Sequence, residues 1–377
     1  MQKNNMTILP PQTIGIIGGG QLGRMMTIAA KYMGYNVAVL DPTPNCPTAQ
    51  VADKQIIAAY DDIRAIKELT EISDCVTYEF ENIDLEAAAY IEELGKLPQG
   101  ARALEITQNR EKEKQLMKDA DLPVPPFTII TSGAECKKAL ENFSFPAVIK
   151  TCRGGYDGKG QVKLNSRDDI EEAIAFADQN KHCIIEQWIA FEKEISVVFT
   201  RTQSGELTFF PIAENEHKDH ILYKTTVPAA ISEDVQEKAY NAARALAEKV
   251  EVVGTFTIEL FVQGNNIFLN EMAPRPHNSG HYTIEACTIS QFGQHIRAIC
   301  GLPLTEVKLL QPATMVNVLG EDMDGVLKAL PRTTEGFVHL YGKAEAKAKR
   351  KMGHITFIAE TQEEINKQIQ VFEEAKQ

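Results

Sequence analysis

The chain has 377 residues, 44% hydrophobic and 24% charged, and its 39 Lys and Arg against 52 Asp and Glu give a formal net charge of -13. That length holds two or three ordinary domains, and the composition is that of a globular enzyme, which excludes a disordered or fibrous chain. The acidity excludes nucleic acid as a partner through broad electrostatic contact, although local basic pockets for phosphate remain open.

From residue 13 to about 95, short apolar runs (TIGII, NVAVL, KQII, DCVTYEF) alternate with helical stretches. This rhythm predicts a parallel sheet covered by helices, an open α/β domain. Gly18, Gly20 and Gly23 form a G-x-G-x-x-G between the first strand and the first helix, and Asp41 closes the next strand. Such a loop turns backbone amides and a helix N-terminus toward an anion. A dinucleotide, a substrate phosphate and plain tight packing all satisfy it at this point.

A charged helix is predicted over about 108 to 120, and LPVPP ends it, because proline cannot continue a helix. From 127 to 300, strands at hairpin spacing mix with helices, including one over 233 to 249, which predicts an α+β domain. Residues 146 to 161 run from an apolar strand ending at Lys150 into a loop with glycines at 154, 155, 158 and 160. Amides of such a loop cradle phosphates, and its spacing is not that of a Walker motif. An ordinary hairpin turn with a surface lysine is the plainer alternative for this loop alone.

The segment 254 to 273 reads as a β-hairpin turning at Gly264-Asn265-Asn266. A three-residue loop places Glu259 directly opposite Glu271; a two-residue loop shifts the register by one. Opposed carboxylates repel, so the pair calls for a raised pKa or a bound cation. All-oxygen ligation suits Mg2+, with Mn2+ as the substitute ion, and Asn270 is a further oxygen donor. The last segment, 312 to 377, holds three apolar strands and a polar closing helix from about 362. Seven cysteines stand singly without a C-x-x-C pair, as reduced thiols of a cytoplasmic protein do. No apolar run approaches the length of a membrane span, so no membrane is expected as a partner.

Taken together, GGGQLGRMM (18 to 26), YEFEN (78 to 82), QNREKEK (108 to 114), GGYDGKGQ (154 to 161), EQWI (186 to 189), NEMAPRPHNSGHYTIEA (270 to 286) and KMGHI (351 to 355) resemble the ATP-grasp superfamily. Within it they resemble the ATP-dependent carboxylases of purine synthesis, over nearly the whole chain. The resemblance implies a Rossmann-like pre-ATP-grasp domain over 1 to 110, an ATP-grasp domain over 111 to 300 and a small β-rich C-terminal domain over 301 to 377. It surrounds ATP with Arg110, Lys150, Gly155, Tyr156, Asp157, Gly158, Lys159, Gly160, Gln161, Glu186, Gln187, Trp188, Ile189, Glu194, His217, Asn270 and Glu271. Glu186 and the hinge backbone read adenine, Glu194 holds the ribose, and Glu259 and Glu271 carry Mg2+.

For the second substrate, aminoimidazole ribonucleotide, the resemblance implies contacts from Gly20, Gln21, Leu22, Glu79, Glu81, Arg275, His277, Asn278, Lys343 and Arg350. The glycine loop then faces that substrate's phosphate and not a dinucleotide. Glu79 and Glu81 meet its ribose or amine, or else cap the next helix. Tyr156, Asp157, Lys159 and Arg275 serve catalysis: bicarbonate attacks the γ-phosphate of ATP, and the substrate amine captures the carboxyl of the resulting carboxyphosphate. The same resemblance implies a homodimer.

Overall fold

The computed structural model describes residues 7–154 and 160–377. Its first layer is the predicted parallel sheet. Strands β1 (Thr13–Ile17), β2 (Asn36–Leu40), β3 (Lys54–Ile56) and β4 (Cys75–Tyr78) stand in the order β3-β2-β1-β4, all parallel. Helices α1 (Gln21–Tyr32), α2 (Ile63–Ile72), α3 (Leu85–Glu93) and α4 (Ala101–Thr107) accompany it. Both faces of a parallel sheet must be covered, so its strands read as unbroken apolar runs rather than as alternation. Ile14, Ile16 and Ile17 of β1 are fully buried.

Helix α5 (Arg110–Asp119) follows, capped by the Asn109 side chain, which accepts from Glu111 N. A second sheet then forms from β5 (Phe127–Ile130), β6 (Ala147–Thr151), β7 (Gln161–Leu164) and β8 (Cys183–Gln187), antiparallel in the order β5-β8-β6-β7, with α6 (Gly133–Glu141) and α7 (Ile170–Asn180) on it.

The third sheet is the largest. It takes β9 (Lys193–Arg201), β10 (Leu207–Phe209), β11 (Ala213–Lys218), β12 (Ile221–Val227), β13 (Gly254–Gln263) and β14 (Asn266–Ala273), with β14 at one edge. Helix α8 (Glu233–Val250) packs on it through Val235, Ala239, Ala242, Leu246 and Val250, the three-and-four spacing of a helix face turned to a core. After α9 (Thr283–Ala286), helix α10 (Gln291–Ile299) bridges the two units: Thr255 of β13 donates to His295 and to Gln291 O, while Phe292, Ile296 and Ile299 share a core with Ile14, Met26 and Val37 beside α1.

The C-terminal segment is β-rich, as expected, but it does not form a sheet of its own. Its strands β15 (Ala313–Leu319), β16 (Phe337–Leu340) and β17 (Lys351–Ile358) continue the third sheet in the order β12-β15-β17-β16. Pairing with β12 satisfies a strand edge that the segment alone leaves open. Helices α11 (Met323–Ala329) and α12 (Gln362–Ala375) cover one face of this extension. Among the described residues, no helix is long and apolar enough to cross a membrane.

Candidate active site

The β13-β14 hairpin brings the two expected carboxylates together by a different route from the one its loop suggests. The loop has two residues, Gly264 and Asn265, because Gln263 pairs with Asn266; Gly264 alone takes a positive φ, of 57°. That register faces Leu260 with Leu269 and, carried on unbroken, sets Glu259 opposite Asn270. A β-bulge intervenes, and Glu259 pairs with Glu271 after all. Asn270 is the extra residue.

Burial, then the facing charge of Glu271, pushes the Glu259 carboxyl well above its ordinary range. Partial burial works upward on Glu271 too, but Arg110 and Lys150 outweigh it and hold this carboxyl low. Arg110 Nη1 lies 3.4 Å from Glu271 Oε2. Two opposed carboxylates, one of them forced toward its proton, are what a hard divalent cation relieves. The donor set fits Mg2+, with the remaining ligands left to water and phosphate oxygens; among the described residues no cluster of three metal-binding side chains occurs.

Lys150, at the inner end of β6, reaches Glu186 at 2.6 Å, and Lys114 Nζ approaches the same carboxylate at 2.9 Å. Burial alone raises a carboxyl pKa, yet these two ammonium groups hold Glu186 well below the usual range. Glu186 therefore serves first to fix Lys150. Along the hinge, Gln187 N donates to Pro126 O and Trp188 N to Pro146 O, while Ile189 N has no protein acceptor among the described residues. Lys163 Nζ sits over the Trp188 ring, 3.9 Å from its centroid. Burial, then the charge of Glu271, raises Glu194 to about 8, and His217 Nδ1 stands 3.5 Å from it. Gln161 pairs with Lys150, and Gly160 O accepts from Thr151 N. Gly155, Tyr156, Asp157, Gly158 and Lys159, which include three of the four expected catalytic residues, lie outside the described residues.

At the glycine loop the amides already have partners. Gly19 N donates to Asp41 Oδ2 at 2.7 Å, and Asp41 also accepts from Thr43 N and Tyr60 Oη. This carboxylate stands where a dinucleotide ribose contact belongs and instead braces the loop. Glu79 accepts from Gly20 N and from Gly23 N, the latter at 2.8 Å. It caps a helix, but the preceding α1; the following helix, α3, is capped by Asp84. The amides of Gln21 and Leu22 are left without a protein acceptor among the described residues.

Glu81 instead reaches across to Arg275 Nη2 at 2.6 Å, and Arg275 Nε is buried with no acceptor among the described residues. His277 Nε2 lies 3.4 Å from Glu259, and burial together with the Arg275 and Lys351 charges keeps this imidazole neutral. Asn278 is committed to a reciprocal amide pair with Asn317, at 3.0 and 2.8 Å. From the C-terminal strands, Lys343 Nζ donates to Lys351 O at 2.6 Å. Burial and neighbouring Arg350 lower its pKa to about 8, while the Glu79 charge pulls the other way. Arg350 is exposed and donates to Glu345 O.

Two contributors, Glu113 and Lys114, carry no role in the sequence reading, although both lie in the QNREKEK run. The signal was in the spacing: Arg110, Glu113, Lys114 and Met117 share one face of α5, and the last three are buried. Asn317 gave no comparable signal.

Comparison with known proteins places this geometry. Residues 115–292 match the model of the ATP-grasp domain, 11–108 that of the ribonucleotide synthetase preATP-grasp domain, and 313–368 that of the phosphoribosylaminoimidazole carboxylase C-terminal domain. Fold and site together define the class, an ATP-grasp ligase. The N5-carboxyaminoimidazole ribonucleotide synthase of Bacillus subtilis (strain 168) is 48% identical over 358 residues, 95% of this chain and 94% of its own. A crystal structure of an ADP complex of N5-carboxyaminoimidazole ribonucleotide synthetase is 51% identical, with a TM-score of 0.94 over 99% of this chain and 100% of the other. The Aspergillus clavatus enzyme, solved with ADP and 5-aminoimidazole ribonucleotide, is 31% identical with a TM-score of 0.88, over 97% and 98% of the two chains. This chain belongs to the N5-carboxyaminoimidazole ribonucleotide synthase family.

Proposed function

We propose that this ligase uses ATP and bicarbonate to carboxylate the amine of 5-aminoimidazole ribonucleotide, releasing ADP and phosphate, in purine biosynthesis. Arg275 carries the reading. Its guanidinium pairs with Glu81, beyond β4 of the N-terminal sheet, at 2.6 Å, its charge bears on His277 beside Glu259, and its buried Nε has no acceptor among the described residues. A planar donor so held suits an oxyanion passing between two substrates. Bicarbonate attacks the γ-phosphate, and the amine of the ribonucleotide then captures the carboxyl from carboxyphosphate, directly or as released CO2.

Glu259 and Glu271 hold Mg2+, which supplies charge neutralisation at the ATP phosphates. Lys150, fixed by Glu186, takes the α and β phosphates; Glu194 holds the ribose and the free Ile189 amide meets adenine. Tyr156, Asp157 and Lys159 of the glycine-rich loop serve the chemistry of the transferred group. Lys343 and Arg350, with the Gln21 and Leu22 amides, receive the phosphate of the ribonucleotide. The enzyme works as a cytoplasmic homodimer, a setting its seven unpaired, buried cysteines suit.

The test is ADP release in the presence of aminoimidazole ribonucleotide, with and without bicarbonate. Turnover that requires both supports the assignment. Release that depends on formate and glycinamide ribonucleotide instead replaces it with the formylating relative's reaction.

A further inference from the structure

The bulge at Asn270 decides whether this protein has a metal pair at all. Without it, Glu271 faces Ile258 and its side chain points to the opposite side of the sheet. An edge strand gains nothing from a bulge by itself, since the extra residue leaves ladder groups unpaired. On β14 those groups are taken up by one helix. Lys114 Nζ donates to Leu269 O at 3.1 Å and to Asn270 O at 2.8 Å. Glu113 Oε1 accepts from Met272 N at 2.6 Å. Leu269 N donates to Pro123 O, just beyond the helix. One residue thus holds the carbonyls before Glu271 and its neighbour holds the amide after it.

Both side chains are sealed from solvent, at 1% exposure for Lys114 and 2% for Glu113. Burying a lysine and a glutamate is costly unless every charge is met. An apolar helix face would cover this strand edge but leave its buried N–H and C=O groups unmet, so polar side chains are needed here. What these two polar side chains add is direction. Lys114 also pairs with Glu186, which fixes Lys150, so the bulge, the hinge strand β8 and the phosphate lysine on β6 share one ammonium group.

We propose that Glu113 and Lys114 are positioning residues that clamp the Asn270 bulge, hold Glu271 opposite Glu259, and tie that register to Lys150 through Glu186. The inference rests on the reading of Glu259 and Glu271 as the Mg2+ pair. It assigns to the EKEK run of α5 a part in metal affinity although neither residue touches the metal.

The test reads Mg2+ directly, without turnover. ADP is bound to the full-length protein, and Mg2+ is titrated while the fluorescence of Trp188, the only tryptophan, is followed. Glu113→Leu removes the acceptor of Met272 N and is expected to raise the Mg2+ midpoint by about 10- to 100-fold, the usual cost of losing an outer-shell support. Glu113→Gln keeps a carbonyl oxygen for that amide, so its midpoint stays near that of the unmodified protein. An unchanged midpoint in Glu113→Leu overturns the proposal, and so does a Gln variant as impaired as Leu. If Glu113→Leu does not fold, amide exchange of Met272 in the unmodified protein decides: strong protection supports the clamp, and exchange as fast as at a frayed edge refutes it. Failure of the carboxylation reading leaves all three measurements intact, because none uses bicarbonate or ribonucleotide.

Discussion

At the N-terminus of α1, backbone amides meet acids: Gly19 donates to Asp41, and Gly20 and Gly23 donate to Glu79. At the proposed nucleotide end the polarity is reversed, and acids meet cations: Glu186 pairs with Lys114 and Lys150, and Glu271 with Arg110. On the proposed reading, the cations that would meet phosphate are already held in place, which is the condition for electrostatic stabilisation without reorganisation. The glycine loop is different. Its positive end is partly neutralised from within, so the proposed binding of a phosphate there requires either displacement of Glu79 or reliance on Gln21, Leu22, Lys343 and Arg350. A glycine fingerprint therefore reports a place where the backbone can approach an anion, and in this chain the anion in place is a side chain.

The largest expected effect lies at the nucleotide end. Glu271→Ala removes half of the carboxylate pair and is expected to lower ADP release by about 10²- to 10³-fold or more. Circular dichroism should show the fold intact, since this side chain is 44% exposed. Near-normal turnover removes Mg2+ from the hairpin.

Next comes Glu186→Gln, which leaves buried Lys114 without its counter-charge at a cost of about 3–5 kcal/mol. The pH dependence has a definite sign. Glu186 titrates lower in the folded than in the unfolded state, so its stabilisation is fully present above the unfolded value, about 4.3, and is lost as pH falls below it. The gap in melting temperature between the unmodified protein and Glu186→Gln should thus be constant from pH 7 to 5 and shrink below pH 4. A gap that is constant throughout means that the pair does not carry the low pKa.

These two ends also differ in how legible they were. The parallel sheet was readable because TIGII and NVAVL are unbroken apolar runs, and α8 because its small apolar residues keep helical spacing. The Glu259–Glu271 pair was found through a loop length that proved wrong, and it survived because a bulge added back the residue that the loop lacked. A bulge has no sequence mark of its own; what specifies it is α5, more than 140 residues earlier in the chain. The partners of Glu79 and Asp41 were hidden for the same reason. A carboxylate at a strand end reads alike whether it waits for a ligand or caps the neighbouring helix, and only the folded sheet, which sets β4 beside β1, decides. The union of the C-terminal strands with the third sheet rests on pairing between β12 and β15, which no local pattern announces.

The smallest effect tests the glycine loop. Burial, partly offset by the Gly23 and Gly20 amides, raises the Glu79 pKa, so this carboxylate sits there at some electrostatic cost. Glu79→Ala gives up a helix cap and is expected to lose about 1 kcal/mol of stability. It also uncovers the two amides. If Glu79 holds the place of the substrate phosphate, inorganic phosphate at millimolar concentration should raise the melting temperature of the variant more than that of the unmodified protein, because a ligand that binds only the folded state stabilises it more the tighter it binds at a given concentration. Equal protection of both proteins means that the phosphate never uses Gly20 and Gly23. Glu79 is then a permanent brace of α1, and the substrate phosphate is left to Gln21, Leu22 and the basic pair Lys343 and Arg350.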